Sequence, residues 1–535
     1  MIHTNKKHLI WFLAIEIVVF LFCLHYARIN PMIFQSRLST GCFLALCLGL
    51  LILTGFAFVM IVIKKIPLHR VFLLIGFGFG VLSCLINTPG SIPDEPAHAS
   101  NIYLWSNRLL GVREELVPSS NPVYIKINSL ARRADVENAS LYLNSETTIN
   151  SYQQILHGTN WFYSNSDRQL VTELLQDHSV TPIMYLPAIL GFTLARLLSL
   201  GYYPMLMLGR LLMLVFYVFA ASWSIRKIPV GKMTLFVTAL LPMSIHLAAS
   251  LSYDAVILGL AMMTFAYIVY LAYGDIERIG AKEWLTMAAL GALLAPCKVG
   301  VYLPILLLLF LIPTMKLAGR RKYVWFVASV MIAGVASCIL MNLNALAVGV
   351  NKTPLQSNNG DAFYSVQWVL HHPMDTLWMM MNTVKRQLST WIQSAAGVRL
   401  SWFSIKISQW VITGFECCLL LTTLKEYDRP PITPSLRQRL LLFLPIILCV
   451  FVFLFGMLLW WTPVGDTLIE GVQGRYFIPM IPLAMFAIPQ SSITLHLKRG
   501  ERRIPWKGFS SVLAMACVML SCASFLNQVV VILGR

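Results

Sequence analysis

Two carboxylates and an imidazole fall within five residues in Pro93-Asp94-Glu95-Pro96-Ala97-His98. The flanking prolines restrict the local backbone, so the three side chains project from a stiff segment. A carboxylate held this way can accept the proton of an attacking hydroxyl, which is general-base chemistry. The same oxygens and imidazole could instead hold a divalent cation such as Mg or Mn. A purely architectural use also fits: Asp94 caps a helix, Pro96 sits in its first turn and Glu95 favours its dipole. The chemical and architectural uses are compatible.

Further polar points interrupt an otherwise apolar chain. Asp254, in Ser252-Tyr253-Asp254, either caps a helix or joins a site. Lys298, in Pro296-Cys297-Lys298-Val299-Gly300, is a cation at a short turn, where a phosphate partner would explain it. Arg475 and Tyr476 close the run Gly471-Val472-Gln473-Gly474-Arg475-Tyr476. An arginine fork suits a phosphate or pyrophosphate group, while an arginine beside an aromatic also serves as an interfacial anchor. Arg210 carries the same two readings.

The elements that must position these residues are membrane helices. The chain has 535 residues, of which 57% are hydrophobic and 12% charged, about half the charge of a soluble domain. Apolar runs of about twenty residues recur, each long enough to cross the hydrocarbon. They predict an all-α integral membrane protein with about thirteen transmembrane helices, near 8–27, 40–63, 70–88, 205–224, 232–250, 254–273, 284–297, 300–315, 324–346, 404–424, 439–461, 476–491 and 508–531. The first run lacks a small-residue cleavage site and reads as a retained span. Residues 182–200, with Pro182, Pro187 and Gly191, read as a re-entrant or interfacial helix.

Charge sets the orientation. Lys64 and Lys65, Arg226 and Lys227, Arg320 to Lys322, Lys425 and Arg429, and Lys498 and Arg499 all occupy short connections on one predicted face. By the positive-inside rule that face is cytoplasmic, with the N-terminus cytoplasmic and the C-terminus extracytoplasmic. The net charge of +18 is thereby explained without nucleic acid. The eleven cysteines lie in or at the ends of spans and read as packing residues without a disulfide framework.

Three external loops remain, 87–181, 347–402 and 462–474. Loops longer than about fifteen residues are usually functional or disordered, and aromatic residues throughout the first favour order. In the second, Pro373 opens a helical pattern with Leu377, Met381, Val384, Leu388 and Trp391 on one face. Such a helix would lie in the membrane interface with Trp378 and Trp391 as anchors, or pack on the bundle. Asp94, Glu95, His98, Arg210, Asp254, Lys298 and Arg475 come from separate stretches, yet all map to the external face. Carboxylates beside cations there suit an anionic lipid-linked substrate and a hydroxyl acceptor.

The Pro-Asp-Glu-Pro-Ala-His loop resembles an uncharacterised family of bacterial polytopic membrane proteins with a PDEPxH-type motif. The resemblance continues through Thr181-Pro182, Gly209-Arg210, Ser252-Tyr253-Asp254, Lys298 to Pro304 and Gln473-Gly474-Arg475-Tyr476. It covers about residues 70–535, so residues 1–67 form two accessory helices and 68–535 the core. That family is similar in layout to the GT-C glycosyltransferases, which use polyprenyl-phosphate sugars on the external side. The resemblance implies Asp94 as catalytic base, Glu95 as a second acid or metal ligand, and Arg475 with Lys298 at the carrier phosphate. His98, Arg210, Asp254 and Tyr476 would line the substrate. Two features depart from better-known members: the large loop follows the third span, and it has no Asp-x-Asp pair, which leaves metal dependence open.

The expected activity is transfer of a sugar from a polyprenyl-phosphate-linked donor to a glycan, lipid or protein acceptor at the cell membrane, among membrane lipids. The alternative is a transporter or flippase of lipid-linked sugars. Transporters tend to show internal repeats and ionisable groups at the midplane. Here no repeat stands out, and only Glu16 and Glu416 sit deep within spans.

Overall fold

Apolar runs that close their own backbone hydrogen bonds become helices, and the order of elements follows those runs until proline or glycine interrupts them. The computed structural model describes residues 2–117, 125–143, 147–177, 181–343, 346, 362–424, 434–489, 494–497, 500–503 and 508–533. Lys425, Arg429, Lys498 and Arg499 of the predicted basic loops, and residues 347–361 of the second predicted external loop, lie outside them.

Helices α1 (Ile2–Ile29), α2 (Arg37–Phe58) and α3 (Leu68–Ile86) come first. The next segment holds α4 (Glu95–Leu109), β1 (Glu114–Val117), β2 (Ile125–Arg132), α5 (Arg133–Tyr142), α6 (Ile149–Gly158) and β3 (Leu170–Asp177). The strands form an antiparallel sheet in the order β1-β2-β3, with Ile127 opposite both Leu116 and Leu175. The expectation of an all-α membrane protein holds in its coarse form: the molecule is mostly helical, and its first large loop adds a small three-stranded sheet. Ile127, Ser129 and Ala131 are buried, the period-two pattern of a strand covered on one face.

Pro182–Tyr185 is a 3-10 turn leading into α7 (Leu186–Leu197), whose 12 residues are too short to cross a bilayer. Then come α8 (Tyr202–Lys227), α9 (Lys232–Leu240), α10 (Pro242–Ala248), α11 (Asp254–Tyr273), α12 (Ala281–Leu294) and α13 (Arg320–Met341). The second loop contributes α14 (Val366–His371), α15 (Pro373–Ala396) and a hairpin of β4 (Arg399–Leu400) and β5 (Ile405–Lys406). The chain continues through α16 (Gln409–Leu421), α17 (Leu436–Trp460), α18 (Ile481–Ala487), the short pair β6 (Thr494–Leu497) and β7 (Gly500–Arg503), and α19 (Phe509–Leu533).

Among the described residues eight helices are long and apolar enough to span a membrane: α1, α2 with its π-helical extension, α3, α8, α11, α13, α17 and α19. The other predicted spans are shorter pieces. The 232–250 run breaks at Leu241-Pro242 into α9 and α10. The 284–297 run yields the 14-residue α12, and the 300–315 run a 3-10 helix over Leu303–Leu311. The 404–424 run yields the 13-residue α16, because its start is drawn into β5. The 476–491 run breaks into Gly474–Met480 and α18, with prolines at 479 and 482. Hydropathy counts side chains, whereas proline also removes a backbone donor and favours a break in the helix.

Helix α11 is the centre, with 89% of its apolar window buried, against 17% for α1 at the rim. Helix α8 packs on α11, α3 and α7. A Cβ at Gly191 would stand 2.9 Å from the Cα of Gly209, so α7 and α8 meet through glycines that let the backbones touch. At the opposite end from Asp94, Arg70, Arg226 and Lys232 gather around His69, as the charge pattern requires of connections on one face.

Helix α15 forms where the periodicity predicts it, but Leu377, Trp378, Met381 and Leu388 point away from the protein. Met379, Met380 and Thr383 pack inward, and Trp391 is buried with its ring 5.1 Å from that of Phe477. Trp378 remains placed to face an interface; Trp391 does not.

Candidate functional site

The stiff Pro93–Pro96 segment turns sharply at Asp94, whose φ of 64° lies in the left-handed region. This conformation is uncommon outside glycine, with aspartate among the better-tolerated exceptions. The Asp94 carbonyl accepts the His98 amide at 2.9 Å, while its side chain makes no capping bond to α4 and is 54% exposed. The turn sends two consecutive carboxylates to different places.

Glu95 goes inward and is fully buried. One oxygen accepts Arg210 Nε at 2.8 Å and the Leu251 amide at 3.0 Å. The other accepts an Arg210 terminal nitrogen at 2.5 Å and the Gly90 amide at 2.7 Å. Arg210, also fully buried, donates further to the carbonyls of Asn87 at 2.5 Å and Thr88 at 3.0 Å. The pair thus ties the end of α3, the start of α4, α8 and the turn before α11 into one knot. Neither side chain offers a surface to substrate, and the carboxylate is saturated with donors, which speaks against the expected roles of Glu95 as acid or metal ligand and Arg210 as substrate contact.

Asp94 meets Arg475 instead, at 3.4 Å. Arg475 is buried and reaches Asp254 at 3.5 Å, and Asp254 pairs with Lys298 at 2.7 Å. The resulting line Asp94–Arg475–Asp254–Lys298 carries two negative and two positive groups from four elements. Lys298 is presented by a kink after α12, where Lys298 and Val299 take φ of 46° and 54°. Its ammonium lies 3.7 Å from the centroid of the Tyr476 ring, itself stacked on Phe453 at 4.6 Å. Burial pushes the Lys298 ammonium down to about 8, outweighing the upward pull of Asp254. Arg475 is placed by Gly474, where a Cβ would stand 2.0 Å from the Trp391 carbonyl of α15; only glycine lets the chain pass there.

His98 lies one turn into α4, with Nδ1 2.6 Å from the Tyr185 hydroxyl and its ring edge-on to Tyr253 at 4.8 Å. It backs the Asp254 side of the line. Asp94, Asp254, Lys298, Arg475, Tyr476 and His98 are therefore brought to one locality, and Glu95 with Arg210 forms its floor. Among the described residues no three His, Cys, Asp or Glu side chains come together to hold a metal ion.

Two neighbours carry no sequence signal. His246 of α10 accepts the Ser401 amide through Nε2 at 3.0 Å. Trp402 donates its indole N–H to the Gly90 carbonyl at 3.1 Å, fastening the β4–β5 hairpin to the loop that bears Asp94. A lone histidine in an apolar stretch and a tryptophan near a span are too common to single out without the fold.

A family model described as a predicted membrane protein, DUF2142, matches residues 77–484, most of the chain and beginning within α3. No curated protein and no solved structure matches it.

Proposed function

The chain belongs to the DUF2142 family of predicted membrane proteins, and we propose that it is a membrane glycosyltransferase, moving a sugar from a polyprenyl-phosphate donor to a hydroxyl acceptor. The observation that carries this reading is the exposed Asp94 carboxylate beside the buried Arg475 guanidinium. In the proposed reaction, the acceptor hydroxyl oxygen bonds to the anomeric carbon as its proton passes to Asp94. The bond between that carbon and the phosphate oxygen breaks, and the electron pair leaves with the polyprenyl phosphate. Arg475 meets the charge growing on that oxygen, and charge developing in the transition state is what fixed donors stabilise most. Asp254, itself paired with Lys298, holds the guanidinium from behind, Tyr476 faces Lys298, and His98 buttresses through Tyr253. Glu95 and Arg210 hold the backbone that aims Asp94. A GT-C-like arrangement on the extracytoplasmic face of the cytoplasmic membrane is part of this proposal.

The test compares purified wild type with Asp94→Asn in detergent, reading sugar release from radiolabelled polyprenyl-phosphate sugars with membrane-extract acceptors. Transfer by wild type and its loss in a folded variant is the expected result. Wild type that binds the carrier and never cleaves it, across acceptors, would replace this reading with a flippase or transporter of lipid-linked sugars.

A further inference from the structure

We propose that the β4–β5 hairpin is a headgroup site for an anionic phospholipid, seated at the membrane surface beside Asp94. Arg399 and Lys406 are direct cross-strand partners, and both side chains are exposed. Like charges directly opposite one another destabilise a strand pair. Neither has an ion-pair partner among the described residues. An anion bridging the two would turn the repulsion into attraction.

The surroundings say which anion. The tip residues Trp402 and Phe403 are exposed at 41% and 47%, and aromatic side chains concentrate where headgroups meet hydrocarbon. Ser401 and Phe403 hold φ of 55° and 59°, a conformation that is costly for residues other than glycine and clusters at ligand clamps. Here it keeps Leu400 and Ile405 buried while turning both aromatics out. The hairpin cannot swing freely, because His246 holds Ser401 and Gly90 holds Trp402. The preceding helix α15 carries exposed Met374, Leu377, Trp378, Met381, Leu388 and Ile392, an apolar stripe at helical spacing that fits an interfacial helix. Apolar stripe, aromatic tip and unpaired cations follow one another along the chain, and a phosphodiester on an acyl chain satisfies all three. A soluble anion would satisfy only the cations. The inference is independent of the catalytic reading, since it uses none of the residues placed at the transfer site.

The experiment reconstitutes the full chain in nanodiscs holding brominated phosphatidylglycerol or brominated phosphatidylcholine at equal mole fraction. The Trp402 contribution to fluorescence quenching is taken as the difference between wild type and Trp402→Phe. Two juxtamembrane cations should enrich the anionic lipid roughly tenfold or more near the hairpin. The double variant Arg399→Gln/Lys406→Gln should quench equally with both lipids while melting at the wild-type temperature. Equal quenching in wild type, or a preference that survives in the double variant, overturns the proposal. So does abolition of the preference by inorganic phosphate at constant ionic strength, or by trace polyprenyl phosphate, since either would assign the cations to another anion.

Discussion

Asp94 and Glu95 are the same chemistry one residue apart, and the fold uses them in opposite ways. Asp94 is half-exposed and shares one long contact, 3.4 Å, with Arg475. Glu95 is buried and receives four donors, two of them from Arg210. A buried pair with every lone pair engaged is costly to break, because the surviving charge has neither water nor a counter-ion. A half-exposed carboxylate with one loose partner can exchange that partner for a ligand. Acidity of type therefore says little about role; the number of donors already committed says more. The left-handed turn at Asp94 separates the two fates.

The sharpest break of this contrast would come from the buried pair. Arg210→Met should destabilise by about 3–5 kcal/mol, read as a lowered melting temperature in detergent. A loss under about 1 kcal/mol, the scale of a surface pair, would mean that the knot is not structural. A middle-sized effect is expected from pH. The folded value for Lys298 is about 8 against an ordinary 10.5, so the unfolded chain binds this proton more tightly. The contribution of this group to stability should then rise from about pH 8 to 10.5. Its positive charge at the site fades around pH 8, at the foot of that window, so carrier binding by surface plasmon resonance should weaken as stability begins to rise. Parallel trends would place Lys298 outside the binding site. The smallest effect belongs to Asp94→Asn, which should move stability by no more than about 0.5 kcal/mol, as expected of a surface change. A large drop in melting temperature would make Asp94 an architectural cap.

Much of the fold could be read from hydropathy, because α1, α3, α8, α11, α13, α17 and α19 are runs without internal breaks or with one tolerated proline. The five shorter pieces contain or adjoin prolines that were visible as letters, or fall short where the chain turns into a strand, and hydropathy sums over both. The sheet was not read from the sequence: Ile125 and Ile127 alternate with Lys126 and Asn128, but Ser129 and Leu130 break the pattern, and a short alternation inside a long polar loop is weak beside spans of twenty apolar residues. At the site, Asp94, Asp254, Lys298 and Arg475 were identifiable because charge is scarce in such a chain. That Glu95 and Arg210 would consume each other was not, since 115 residues separate them and only the tertiary fold reveals the pairing. His246 and Trp402 depend equally on tertiary proximity.

The broken segments also bear on how such a chain is made. Helices α9, α10 and α18 have 9, 7 and 7 residues, far short of the ~20 needed to cross hydrocarbon alone. Their interrupted ends leave backbone groups that lipid cannot satisfy. They pack instead against one another and against long neighbours, α9 on α8 and α19, α18 on α17 and α9, α10 on α3 and α11. Partitioning from the insertion machinery into lipid is thus open to the long helices one by one, but to these pieces only as company. α9 precedes α19 by more than 250 residues in the chain, so part of its shelter is made long after it, and biogenesis must hold that end of the bundle unfinished until α19 is delivered.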